Sequence, residues 1–154
     1  MNNYQKIFLT FFYTGLSPKA PGTIGTLASI PLGLYLLHLF GSLSLLFITI
    51  ITTLIAIRVV DTYESNTEIH DNQQIVIDET VGVWLTIVIT SFFTSDLFIL
   101  AIISFISFRV YDILKPLGIG FIDKEISGGN GVLLDDILAG IFAGFTNILI
   151  LSIF

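Results

Sequence analysis

Residues 75–86 read IVIDETVGVWLT: β-branched apolar residues, the adjacent carboxylates Asp78 and Glu79, then apolar residues again. In a soluble protein such a pair can simply open a helix. In a lipid environment an unpaired carboxylate is expensive and needs a partner. Composition decides between these settings. The chain is 54% hydrophobic and only 12% charged, with a mean hydropathy of +0.94. A soluble domain is comparably apolar but about a quarter charged, so the deficit of charge points to a bilayer. In lipid every backbone group must be satisfied, which favours helix over open sheet. The expected fold is therefore all-α: a compact membrane-associated helical bundle with its polar residues gathered at one end. The 154 residues suit one domain, 1–154.

Working outward, an apolar segment of about 22–40 contains Pro31, which is expected to kink it. A GSLS turn leads to a second segment ending near Arg58. A polar stretch, RVVDTYESNTEIHDNQQ, precedes the segment that opens at Asp78 and Glu79 and runs to about Phe93. TSD turns the chain into LFILAIISFISF, followed by Arg109, Asp112 and Lys115. A Gly- and charge-rich loop is expected over 115–131, and a last segment from Asp135 and Asp136 to Phe154. The segments at 80–93 and 97–108 fall short of the roughly 20 residues that cross a bilayer. They are extended by polar flanks, buried among the others, or dip without crossing. The N-terminal MNNYQKIFLTFFYTG is read as a retained interfacial or packing helix rather than a cleaved signal.

If GSLS and TSD join antiparallel hairpins, alternate connections share a side. That side holds all six basic residues, Lys6, Lys19, Arg58, Arg109, Lys115 and Lys124, and every acidic residue except Asp96. The positive-inside tendency makes it cytoplasmic. The net charge of −6 argues against nucleic acid. With no cysteine there is no disulfide, thiolate nucleophile or Cys-based zinc site. His38 and His70 are the only histidines, and no D-x-D pair appears, which argues against histidine- and aspartyl-phosphate phosphatases.

Asp78–Glu79 and Asp135–Asp136 each stand at an expected helix start. Negative charge complementing the helix dipole explains one such residue, for under about 1 kcal/mol. It explains two adjacent pairs poorly, because one member of each must turn toward the bundle. Mg²⁺ would hold such a set, since it favours a few carboxylates with water and phosphate oxygens. Arg109 and Asp112 share a helix face, either as a boundary ion pair or with Asp112 in the metal site and Arg109 or Lys115 on a phosphate. In GLSPKAPGTIGT, Gly15, Gly22 and Gly25 with Lys19, Thr23 and Thr26 lie just ahead of a helix whose amides could cradle an anion; taken alone, Gly and Pro before a helix are usually only a turn. In the polar stretch, most acids are expected to be solvated, with Asp61 and Glu64 the better ligand candidates.

GLSPKAPGTIGTLASIP, HDNQQIVIDETVG, FRVYDILKP and GGNGVLLDDILAG, in this order, resemble the phosphatidylglycerophosphatase A family over most of the chain. The resemblance implies an all-helical, membrane-associated bacterial enzyme that converts phosphatidylglycerophosphate to phosphatidylglycerol with Mg²⁺. The family's polar positions fall on Lys19, Thr23, Asp61, Glu64, Asp78, Glu79, Arg109, Asp112, Lys115, Asp123, Asp135 and Asp136. One departure, LGI after Lys115–Pro116 where the family tends to an aromatic residue and a second proline, bears on the 116–122 loop. On this reading Asp78, Glu79, Asp135 and Asp136 hold Mg²⁺, with Asp61, Glu64 or Asp112 completing the set. Lys19, Thr23, Arg109 and Lys115 bind the substrate, and a carboxylate either activates water or attacks phosphorus. The expected site of action is the cytoplasmic face of the bacterial inner membrane, with oligomeric state left open. The alternative is a small cation-binding transporter or channel subunit, which would carry carboxylates at mid-helix on both sides of the bilayer.

Overall fold

The computed structural model describes residues 2–67, 72–116, 119 and 128–153, and these form helices and their connections. Helix α1, Asn3–Leu9, is closed by a capping box in which Asn2 and Gln5 satisfy each other's backbone amides. Phe11, Phe12 and Tyr13 then take positive φ values of 40°, 55° and 69°. Left-handed backbone costs on the order of 1–2 kcal/mol per L-residue. Hydrogen bonds offset part of this: Thr10 Oγ1 donates to Lys6 O at 2.6 Å and accepts from Tyr13 N at 3.0 Å. A 3₁₀ turn, Thr14–Leu16, leads to α2, Pro21–Thr67.

Helix α2 is two helices in one run, 21–40 and 42–67, broken at Gly41 (φ 81°, ψ 171°). A Cβ at Gly41 would meet nothing within 4 Å, so the glycine is there for its backbone angles. The break falls in the expected GSLS turn, whereas Pro31 is accommodated inside the helix and exposed, without non-helical dihedrals. The second half also continues past Arg58 to Thr67. The polar stretch is helical here because it packs: Tyr63 and Glu64 are buried.

Three further helices follow: α3, Ile77–Ser91; α4, Leu97–Leu114; and α5, Gly128–Ile153. Asp96, the one acid assigned to the opposite side, caps α4 by accepting from Phe98 N and Ile99 N at 2.9 and 3.0 Å. Helix α5 begins well before Asp135. The GGNG segment, 128–131, therefore supplies the first turn, and Asp135 and Asp136 lie beyond the reach of the helix-terminus dipole.

Ten of the fifteen residues of α3 are buried, which makes it the bundle's central helix. At 1.5 Å per residue it spans about 22 Å, short of a bilayer core of about 30 Å. Among the described residues, the helices long and apolar enough to cross are 21–66, 97–114 and 128–153, and their exposed Phe47, Phe98, Ile106, Phe145 and Leu149 suit lipid contact. Within α3, the hydroxyls of Thr80, Thr86 and Thr90 donate to carbonyls four residues back, so these buried hydroxyls are satisfied inside the helix.

Helix α3 runs parallel to α5. A Cβ on Gly140 would lie 2.4 Å from Gly82 O, Thr86 Oγ1 lies 3.2 Å from Gly140 O, and Asn147 Nδ2 donates to Thr90 Oγ1 at 3.0 Å. It is also parallel to the first half of α2, where Gly25 packs on Val76 and Trp84 Nε1 donates to Ser29 O at 2.9 Å; just past the Gly41 break, Ser91 meets Ser42 at 2.8 Å. Helix α4 and the second half of α2 return antiparallel. One end of the bundle thus collects both ends of α2, the starts of α3 and α5, and the end of α4, as the hairpin alternation requires.

Gly140→Val would force a branched side chain into the Gly82 backbone. Overpacking of this kind costs typically 1–3 kcal/mol, so the thermal midpoint in detergent is expected to fall by roughly 2–12 °C. Gly41→Ala, strained in φ but free of collisions, is expected to fall less. Thermal unfolding of the two variants side by side checks this ranking.

Candidate active site

The start of α3 is pinned by Val76 N, which donates to Leu9 O at 2.9 Å and ties it to the end of α1. Asp78 and Glu79 occupy the first turn, and Asp78 Oδ1 accepts from Glu79 N at 3.0 Å. A helix turns about 100° per residue, so the two side chains leave on different bearings. Asp78 shares the face of Gly82 and Thr86, which looks onto α5. Glu79 reaches toward the start of α2 and toward α4. A Cβ on Gly22 would stand 2.1 Å from Glu79 Oε1 and 3.4 Å from Arg109 Nη1. Gly22 is thus the space Glu79 occupies.

From α5, Asp135 and Asp136 are both buried, yet they part company. Asp136 joins Asp78 and Glu79, with one carboxylate oxygen from each lying within 4.8 Å of the others. Asp135 Oδ2 instead accepts from Lys115 Nζ at 2.8 Å. Arg109 pairs with Asp112 along α4, and Asp112 is an electrostatic neighbour of Glu79 and Asp136. Among the described residues, Asp78, Glu79, Asp112, Asp135 and Asp136 therefore gather with Arg109 and Lys115 around this point. Burial pushes the Glu79 carboxyl up to about 8, with Asp136 and Asp112 adding to the rise and Asp78 and Arg109 opposing it. Burial, reinforced by Glu79, also raises Asp78. Glu79 Oε2 is buried without a hydrogen-bond partner.

These features fit a hard divalent cation. Three converging carboxylate oxygens, a surplus of negative charge and an orphaned buried acceptor are what an oxygen-ligated ion relieves. Among the described residues, Asp78, Glu79 and Asp136 are the group of three or more such ligands that converges this closely.

The other expected site residues take different places. Asp61 is an exposed residue of α2 whose Oδ1 accepts from Gly129 N at 2.7 Å, capping α5 from another helix. Gly128 (φ 78°) and Gly129 make that approach possible: a Cβ on Gly129 would lie 2.3 Å from Ile57 O. Glu64 is buried one turn further along α2. Lys19 is exposed in the turn before α2, and its carbonyl accepts from Ser17 Oγ at 3.0 Å. Thr23 is half-buried in the first turn of α2. Glu68, His70, Asp71, Asp123 and all of the 116–122 loop except Pro116 and Ile119 lie outside the described residues. Sequence reasoning read Gly22 as part of an anion cradle and missed its packing against Glu79. No spacing signals a contact across 57 positions.

An Asp61 that works as a cap is expected to tolerate Asn, whose side-chain oxygen still accepts from Gly129 N. Asp61→Ala is expected to lose about 1 kcal/mol of stability, read as a lowered thermal midpoint. Equal damage from Asn and Ala would instead mean that the negative charge matters.

The family model described as Phosphatidylglycerophosphatase A matches residues 7–151. The chain is 37% identical over 132 residues to the phosphatidylglycerophosphatase A of Haemophilus influenzae, covering 86% of this chain and 79% of that protein. It is 33% identical over 143 residues to the phosphatidylglycerophosphatase A of Escherichia coli strain K12, covering 93% and 81%. A Bacteroides thetaiotaomicron protein provisionally named a phosphatidylinositol-3-phosphatase is 34% identical over 139 residues, covering 87% and 85%. No solved structure matches. The chain belongs to the phosphatidylglycerophosphatase A family of phosphoric monoester hydrolases.

Proposed function

We propose that this protein removes the terminal phosphate of phosphatidylglycerophosphate to leave phosphatidylglycerol, with Mg²⁺ as cofactor, at the cytoplasmic face of a bacterial inner membrane. The observation that carries the reading is the convergence of Asp78, Glu79 and Asp136 at the polar end of an apolar helical bundle. A lipid phosphate lies at that depth while its acyl chains remain among the helices and the bilayer. The names of the Haemophilus influenzae and Escherichia coli relatives support this headgroup. The basic residues at that end support a cytoplasmic orientation.

Asp78, Glu79 and Asp136 would hold the ion, which supplies Lewis-acid stabilisation of charge on the phosphoryl oxygens. Arg109 and Lys115 are the cations nearest the cluster, each held by its own carboxylate, Asp112 and Asp135. Those pairings keep both groups charged and oriented for phosphate oxygens. In the overall reaction water adds to phosphorus and the bond to the glycerol oxygen breaks. That oxygen leaves with a proton. A carboxylate at this end of the bundle is suited to move that proton.

The test is phosphate release by detergent-purified protein, with Mg²⁺ and with EDTA. Release from phosphatidylglycerophosphate is expected with Mg²⁺ and is expected to vanish in EDTA. Asp78→Asn and Asp136→Asn are each expected to lower kcat at least about 100-fold while the protein stays folded. Metal-independent release would remove Mg²⁺ from the mechanism. Faster release from phosphatidylinositol 3-phosphate would reassign the headgroup.

A further inference from the structure

We propose that an apolar cleft beside the site, between α1, both halves of α2 and α3, binds one acyl chain of the substrate. This rests on the lipid-phosphatase reading above and extends it from headgroup to tail. The cleft has a volume of about 280 Å³. Phe8 and Phe11 form one wall, Leu32 and Thr52 come from the two halves of α2, and Ile77 and Trp84 form the floor. None of the lining residues is charged, which suits a hydrocarbon occupant. The space is also small against the 10–12 Å width of a helix with its side chains.

Position ties the cleft to the chemistry. Ile77 immediately precedes Asp78, and Trp84 lies two turns further along α3, roughly 10 Å deeper into the bundle. A lipid with its phosphate at Asp78 would have a tail at the right level to run down this floor. The cleft is continuous with the lipid-facing surface: Phe12 and Tyr4 at its mouth are exposed, as are Tyr35 and Ile55, one turn along α2 from Leu32 and Thr52. The left-handed turn at Phe11, Phe12 and Tyr13 serves the same place. It sets Phe11 edge-on against Trp84, with ring centroids 6.3 Å apart, and leaves Phe12 at the rim. Strain of this kind persists where surrounding structure holds it, commonly at ligand clamps.

Trp84 is the chain's single tryptophan, so its fluorescence reports on the cleft directly. The probe is phosphatidylglycerol with dibrominated acyl chains, titrated into the detergent-solubilised protein. The expected result is quenching that saturates, is reversed by unbrominated lipid, and weakens at least fivefold in Thr52→Phe or Leu32→Phe, which fill the cleft from opposite walls. In the same variants the ratio of kcat/KM for long-chain over dibutyryl phosphatidylglycerophosphate is expected to fall about tenfold, a ratio that general damage to the fold would not move. Quenching that rises linearly with lipid mole fraction and is not competed would overturn the proposal, as would an unchanged long-to-short ratio. Saturable, competed quenching without phosphate release from either substrate would leave the cleft standing and sink the phosphatase reading instead.

Discussion

The site depends on the backbone contact between α3 and α5. A Cβ on Gly140 would strike the Gly82 carbonyl of α3, and a Cβ on Gly82 would strike the Asp136 carbonyl of α5 and the Phe108 ring of α4. Asp78 lies one turn before Gly82, and Asp136 lies one turn before Gly140. Because the two helices run parallel, fixing the glycines opposite each other fixes the carboxylates opposite each other. Backbone contact is a stiffer ruler than interdigitated side chains, which can change rotamer to absorb a shift. Helix rotation is fixed by the same contact, and rotation decides that Asp136 enters the cluster while its neighbour Asp135 turns to Lys115.

Around that ruler the bundle concentrates charge that it cannot neutralise alone. Among the described residues, Arg109 pairs with Asp112 and Lys115 with Asp135, while Asp78, Glu79 and Asp136 converge as three carboxylates. Burial makes that convergence costly, and the raised proton affinities of Asp78 and Glu79 are the measure of that cost. On the proposed reading, a divalent cation would supply the missing positive charge, and a phosphate group would bring further oxygens to it. The rest of the bundle is apolar and offers the substrate's tails the environment they already occupy in a bilayer.

Positioning at the polar end is shared among elements distant in the chain. The start of α3 hangs from Leu9 through Val76 N, the start of α5 from Asp61 through Gly129 N, and Glu79 rests in the space left by Gly22. Each contact satisfies a helix-terminal amide or fills a gap, and only the third involves a member of the cluster itself. Asp61 and Asp78 therefore look alike in sequence, as acids flanking apolar segments, and differ entirely in employment.

Local pattern alone determined much of this protein. The shortage of charge required helices in lipid, the spacing of turns set the hairpin alternation, and that alternation placed the basic and acidic residues at one end. The same reading singled out both acidic pairs and the Arg109–Asp112 pairing, whose three-residue spacing is a property of one helix. Tertiary structure decided what no local pattern encodes: that α3 is the buried centre, that α2 continues through the polar stretch, and that α5 starts seven residues before Asp135. It also decided which acids converge, since the contacts of Gly22 with Glu79 and of Asp61 with Gly129 join residues far apart in the chain. Periodicity sets which residues share a face of one helix. The bearing of that face is set by contacts between helices, made wherever the smallest residues let two backbones touch.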